Sequence, residues 1–209
     1  MMKIPLLILI LFLFCGCNEQ SLEVFKIKEV IDGDTIYLAN GDMVDLMGIN
    51  SPEISSNEDV DVFIRETGFT KEEVQRLSIF AKKLMEEYLK DHKLDQVLIV
   101  YDKHEKNRKG KISAYVYVDL GFPTSRKFSN ESPFLGEMLI KYNGTYWIML
   151  NAAMIQSGLA IPNTIQSTTR FSKLFEKIYL ETGKERLLNT FRDEKKLLDM
   201  PSNSGSIKP

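Results

Sequence analysis

Short runs in which apolar and polar residues alternate make up the first informative stretch of the chain. Val24, Lys26 and Lys28 alternate with Phe25, Ile27 and Glu29, and the period of two returns at Ile36 and Leu38 and at Val44 and Leu46. Such a period turns one side of each run to a core and the other to solvent, so strands are predicted between residues 24 and 49. Asn40-Gly41, between the last two runs, predicts a two-residue hairpin loop because both residues tolerate positive φ. A meander is therefore expected. Residues 54–68 are polar and acidic without a sustained period and read as a surface loop. Thr70 and Glu73 then have the spacing of a capping box. Val74, Leu77, Ala81, Leu84 and Tyr88 follow at helical intervals, which predicts a long helix covering one side of the sheet.

Two more strands are predicted at 97–101 and 112–118, separated by the basic stretch 103–111, which on composition alone is a solvated hairpin loop. Residues 121–144, rich in Ser, Pro, Asn and Gly, read as an inserted loop. Residues 147–156 carry a helical pattern closed by Gly158 as a C′ residue. Phe171, Leu174, Phe175 and Ile178 form one apolar stripe, and Leu187, Leu188, Phe191 and Leu198 a second, so one or two C-terminal helices are expected before a disordered tail at 201–209. The residues predicted to be buried are Val30, Ile36, Leu38, Val44, Leu46, Leu84, Val97, Ile99 and Val116.

The N-terminus has a different pattern. Lys3 precedes a segment, residues 4–14, that is apolar apart from Pro5 and ends in Phe14-Cys15-Gly16-Cys17. As a helix it would rise about 16 Å, too short for a hydrocarbon core of about 30 Å, so it reads as the apolar region of a signal peptide. The end resembles a bacterial lipobox, with small Gly16 before Cys17, whose thiol would carry the lipid. The expected product is an exported, membrane-anchored lipoprotein with Cys17 as its only cysteine and hence no internal disulfide. Across 209 residues, 27 basic side chains against 29 acidic exclude a polycation that grips nucleic acid by bulk charge. Two Cys and two His are too few for a structural zinc site of those ligands.

Candidate chemistry is concentrated in Asp32-Gly33-Asp34-Thr35 and in Gly48-Ile49-Asn50-Ser51-Pro52-Glu53. Hard cations such as Ca²⁺ take several oxygen ligands, which a carboxylate at one tight turn and a second oxygen-rich turn can supply. Asp34, Asn50 and the Ser51 carbonyl are the metal candidates, with Glu53 as a base for a nearby water. On spacing alone, both motifs are also ordinary turns.

Five segments, in order across residues 24–162, resemble the staphylococcal-nuclease-like, or thermonuclease, family: Val-Ile-Asp-Gly-Asp-Thr, the turn ending in Ser51-Pro52-Glu53, the long helix, Lys-Gly-Lys-Ile-Ser-Ala-Tyr-Val-Tyr-Val-Asp from Lys109, and Leu150-Asn151 through Gln156-Ser157-Gly158-Leu159-Ala160. The resemblance implies an α+β, mainly β fold: a five-stranded OB-type Greek-key barrel with packed helices. The implied layout is a signal peptide at 1–16, a lipidated tether at 17–23, the domain at 24–165, a C-terminal helical extension at 166–200 and the tail. It also implies Ca²⁺-dependent hydrolysis of DNA or RNA phosphodiesters, with Asp34 as metal carboxylate and Glu53 as base or water orienter. Asn50 stands where the family has a second metal Asp, and Ser51 where a Thr lends its carbonyl. Asp45 and Lys111 stand where the family has two phosphate-binding arginines, so a positive clamp becomes an anion and a point charge. Lys106, Arg108 and Lys109 of the basic loop, with Lys103, are further candidates for nucleic-acid contacts. The departures keep open a second function, a catalytically inactive barrel that binds single-stranded nucleic acid or protein through its open face, and a third, a scaffold alone.

Overall fold

The computed structural model describes residues 22–53, 57–91, 94–106, 110–123, 133–163 and 169–189. The signal segment with Cys17, the loop residues Arg108 and Lys109, Phe191, Leu198 and the tail lie outside them. The chain begins with β1 (Leu22–Val30), β2 (Thr35–Leu38), β3 (Met43–Leu46) and the short β4 (Ile49–Asn50). Two helices follow, α1 (Asn57–Thr67) and α2 (Lys71–Asp91), and then the long strands β5 (Gln96–Lys106) and β6 (Ile112–Pro123). The remainder is α3 (Leu135–Met138), β7 (Leu139–Tyr142), β8 (Thr145–Met149), α4 (Leu150–Gln156), β9 (Ile161–Pro162) and α5 (Ser172–Ile178). A π-helical turn, Tyr179–Gly183, continues α5, and helix resumes at 184–189.

The fold is α+β, built on a closed five-stranded barrel in the order β3-β2-β1-β5-β6. Closure comes from parallel pairing of β3 with β6, Val44 opposite Ile112 and Leu46 opposite Ala114. The two longest-serving strands each satisfy two sets of partners. β1 pairs β5 through residues 22–26 and β2 beyond an irregularity at 27–29, the kind of bulge that turns a barrel corner. β6 closes the barrel with its first residues and carries the β7–β8 hairpin on its later ones.

Ile36, Leu38, Val44, Leu46, Val97, Ile99 and Val116 are each at most 2% exposed and Val30 is buried, as the strand periodicity requires. Leu84 differs, being only partly buried at the edge of the core. On α2 the inward stripe runs Val74, Leu77, Ala81, Met85, Leu89, so the step of four from Ala81 gives the core position to Met85 and leaves Leu84 on the flank. The capping box forms at the start of α2. The Thr70 amide donates to Glu73 Oε2 at 2.8 Å, and the Glu73 amide to Thr70 Oγ1 at 3.3 Å.

Several local expectations are corrected. Residues 54–68 are not simply loop: 57–67 form α1, because Val60 and Phe63 are buried in a cluster with Phe69, Val74, Leu77, Ile161 and Leu187, a contact an acidic stretch conceals. Gly68 ends that helix at φ +77°, its amide donating to Ile64 O at 2.7 Å. The Asn40-Gly41 hairpin is present, but only Gly41 has positive φ. The amide of Leu38 donates to Asp42 O, so the loop has three residues, 39–41. Residues 121–144 contain the end of β6, α3 and β7, and the turn that closes β7 on β8 is Asn143-Gly144, both with positive φ. Helix begins at Leu150 rather than 147, since Trp147 and Met149 are buried at a strand's period of two. Gly158 follows α4 at φ +74° as expected of C′. Of the second C-terminal stripe, Leu187 is buried and Leu188 exposed. The π turn adds a residue that brings Gly183 against Ile155 and, four residues on, Leu187 against Gly158.

The helices after residue 171 bury Leu174, Phe175 and Ile178 in the same core as the barrel. Asn151, fully buried on α4, secures the closure. Its Nδ2 donates to Met47 O at 2.9 Å and to Ala114 O at 3.3 Å, and its Oδ1 accepts from the Val116 amide at 2.9 Å. Asn151 thus sits where β3 departs from β6, with Ala114 O also accepting from the Met47 amide at 2.9 Å. Asn151→Ala is expected to lower the unfolding free energy by about 2 kcal/mol or more, because each buried polar group left without a partner costs about 1–3 kcal/mol. Urea denaturation at fixed m-value measures it.

Candidate functional site

The β1–β2 connection is a tight turn held from within. The Ile31 amide donates to Thr35 O at 2.9 Å, and the Asp34 amide to Asp32 Oδ1 at 3.1 Å, a side-chain-closed turn of the kind Asp favours. Gly33 allows this turn to lie against the chain after β4, since a Cβ there would overlap Ser51 Oγ. β4 is fixed in turn by antiparallel pairing with β9, Asn50 opposite Ile161, and by Ser51 Oγ donating to Leu159 O at 2.9 Å. The two sequence motifs thereby meet: the Ser51 amide donates to Asp34 Oδ2 at 2.6 Å.

Carboxylate oxygens of Asp32, Asp34 and Glu53 all lie within 4.8 Å of one another. Glu53, Asn50 and Ser51 are buried, with 7%, 8% and 1% exposure. Burial raises the Asp34 carboxyl well above its ordinary value, the negative charges of Asp32 and Glu53 add to the rise, and the Ser51 amide opposes it. Asp32 is the site residue the sequence reading passed over. Its signal was its place two residues before Asp34, close enough to share a turn.

Beside this cluster Asp45 and Lys111 face each other. Thr35 and Asp45 are cross-strand partners on β2 and β3, and the backbone of Asp45 pairs with Ser113 on β6, two residues past Lys111. Lys111 Nζ lies 2.8 Å from Asp45 Oδ1 and 3.1 Å from Thr35 Oγ1, which itself donates to Asp45 Oδ1 at 3.0 Å. Burial works against the Lys111 ammonium, but the hydrogen bond and charge of Asp45, with the charges of Asp32 and Glu53, outweigh it and raise its pKa. Lys111 is partly buried beside the cluster, and the extra anion at Asp45 is matched by it. The structure brings Asp34, Ser51 and Glu53 together with Asp32, sets Asn50 on the adjoining strand, and places Asp45 and Lys111 next door through Thr35. Lys106 is the last residue of β5, opposite Ile112, and its side chain lies outside the described residues, as do Arg108 and Lys109.

A raised Asp34 pKa has a sign that can be checked. The folded chain holds this proton more tightly than the unfolded chain, so the stabilisation is complete below the ordinary carboxyl pKa of about 3.9 and is lost as pH rises through the raised native value. In EDTA, the native chain should therefore lose stability over that window relative to Asp34→Asn, which keeps an acceptor for Ser51 and cannot ionise. Thermal melts of both across pH test this; parallel curves would contradict the assigned cause.

What the fold and the cluster define is a class: an α+β barrel protein with a three-carboxylate cluster where the β1–β2 turn meets the chain leaving β4. No protein-family model matches the chain, and no curated protein is detectably similar to it. Among the described residues no helix is long and apolar enough to cross a membrane.

Proposed function

We propose that this chain is an exported, lipid-anchored protein related to the staphylococcal-nuclease-like family, and that its carboxylate cluster binds Ca²⁺ or another divalent cation to hydrolyse phosphodiester bonds of DNA or RNA. The observation that carries the reading is the convergence of Asp32, Asp34 and Glu53 beside the Asn50-Ser51 turn. The barrel order β3-β2-β1-β5-β6, in which a three-strand meander is closed by two later strands, supports an OB-type Greek key. In this scheme the helices from Ser172 onward are the C-terminal helical segment.

The donor set suits a hard cation. Opposite oxygens in a Ca²⁺ shell lie about 4.6–5.2 Å apart, and the three carboxylates fall inside that span. Asp34 and Asp32, with the Asn50 side chain and the Ser51 carbonyl, would hold the ion; when bound, it supplies positive charge against the phosphate and acidifies water. Glu53, buried among the other acids, is the group to take a proton from the attacking water. Lys111, whose ammonium feels the charges of Asp32 and Glu53, is the cation offered to a phosphate oxygen.

The Asp45–Lys111 pair favours a second reading, cation binding without hydrolysis, in which the barrel binds single-stranded nucleic acid or protein. A cation already bound to a carboxylate at 2.8 Å offers less to a phosphate. Degradation of plasmid and single-stranded DNA and of RNA by the purified exported protein, with Ca²⁺, Mg²⁺, Mn²⁺ or EDTA, separates the two. Cleavage that EDTA stops is expected. Calorimetric cation binding without cleavage would select the second reading, and absence of both would reject each.

A further inference from the structure

We propose that the start of β1 and the groove beside it form a second membrane contact, seated on the surface of a phospholipid bilayer. The inference rests on the reading of Cys17 as the lipid-bearing residue. Four residues lie between Cys17 and Leu22, five chain steps in all, so the first residue of β1 lies no more than about 18 Å from the anchored cysteine whatever path the tether takes. On that reading the surface around Leu22 is kept within a tether's length of the bilayer.

That surface has the chemistry for it. Leu22 and Val24 lie on one face of β1, opposite Val100 and Leu98 of β5, and each is 37% exposed, unusual for large apolar side chains in this protein. Residues 22–26 pair with β5 on one side, while the β2 side is first engaged at Lys26, whose carbonyl accepts from the Ala39 amide at 2.8 Å, so among the described residues 22–25 form an edge. A groove of about 350 Å³ opens beside it, lined by Leu22, Tyr117, Leu139, Ile140 and Phe171, with Arg170 in the lining and its guanidinium 5.1 Å from the Phe171 ring. Glu137 is the acidic member of the lining. The exposed Lys26 is the next residue on that face of β1. Apolar and aromatic side chains next to the tether, with cations beside them, match the acyl boundary and the anionic headgroups of a bilayer in that order.

The test uses the full lipidated chain in vesicles of phosphatidylethanolamine and phosphatidylglycerol. A thiol-reactive dye is placed at Val24→Cys and, for comparison, at Ile79→Cys, an apolar residue of α2 that is 64% exposed. Nitroxide-labelled acyl chains should quench the dye at position 24 roughly threefold more than at 79, as for a group at the headgroup boundary. Leu22→Cys supplies a second reporter on the same face. Equal quenching at both sites with Cys17 acylated would overturn the proposal while leaving the anchor intact. Shielding of position 24 from aqueous iodide without quenching by lipid nitroxide would mean that a second copy covers the edge, and would overturn it too. A purified chain whose mass shows no lipid on Cys17 would instead remove the anchor reading and this proposal with it.

Discussion

Asp34→Ala is expected to abolish the rise in melting temperature that a bound Ca²⁺ should give the native chain. A ligand that binds only the folded state stabilises by about 2.7 kcal/mol at a hundred times its Kd. For a domain of this size that is a shift of about 5–10 °C. The site explains why the loss should be complete. Asp34 is the carboxylate at which both motifs meet, through its bond to the Ser51 amide and its contact with Asp32 and Glu53. The same geometry predicts the opposite behaviour in EDTA. There the Asp34 charge is opposed by burial and by two neighbouring acids, so removing it at neutral pH should cost little beyond the Ser51 hydrogen bond. A carboxylate with only a structural role would lose stability equally with and without Ca²⁺. Thermal melts in millimolar Ca²⁺ and in EDTA distinguish the two, and a variant that keeps the full Ca²⁺ shift would reject the metal assignment.

Asp45→Arg should raise the rate of oligonucleotide cleavage by about 10²–10³, the factor that one oriented donor to a developing anion typically contributes. In the native chain Asp45 and Thr35 hold the Lys111 ammonium inside a closed triangle of contacts at 2.8, 3.0 and 3.1 Å. The substitution removes the carboxylate that engages Lys111 and adds a guanidinium that can bind a phosphate through two bonds. Two cations side by side repel, but Asp32 and Glu53 already act on Lys111 and offset part of that cost. Asp45→Asn separates the contributions, since it releases Lys111 without adding a donor and should give an intermediate rate. Initial rates with saturating Ca²⁺ read all three proteins. An unchanged rate in Asp45→Arg, with Ca²⁺ binding retained, would show that neutralisation of the clamp is not what limits hydrolysis.

Local signals were legible where a single stretch of chain contains both partners. Thr70 and Glu73 are three residues apart, and their reciprocal bonds form as the spacing predicts. The alternation around Ile36, Leu38, Val44 and Leu46 places those side chains in the core. Legibility failed where burial depends on a distant partner. Val60 and Phe63 lie in an acidic stretch whose mean character is that of a loop, and they become a helix face only by packing with Phe69, Val74 and Leu77 of the next segment and with the distant Ile161 and Leu187. Asn143-Gly144 carried a hairpin signal as plain as Asn40-Gly41, but the surrounding Ser, Pro and Gly masked the short strands on either side.

The sequence by itself determined the period of β1 to β3, β5 and β6, the start of α2 and the turn that carries Asp32 and Asp34, because these depend on neighbours within a few positions. Tertiary structure decided the rest. Barrel closure joins β3 to β6 across some 68 residues, and a parallel pairing at that separation leaves no mark on local periodicity. The same closure brings Lys111 to Asp45, turning two charges that read separately as a lost clamp and a weakened one into a single ion pair. Ser51, an ordinary turn residue in sequence, becomes the donor to Asp34 only because β9 holds β4 against the β1–β2 turn. Charge depends on composition, but which charges meet depends on where the chain crosses itself.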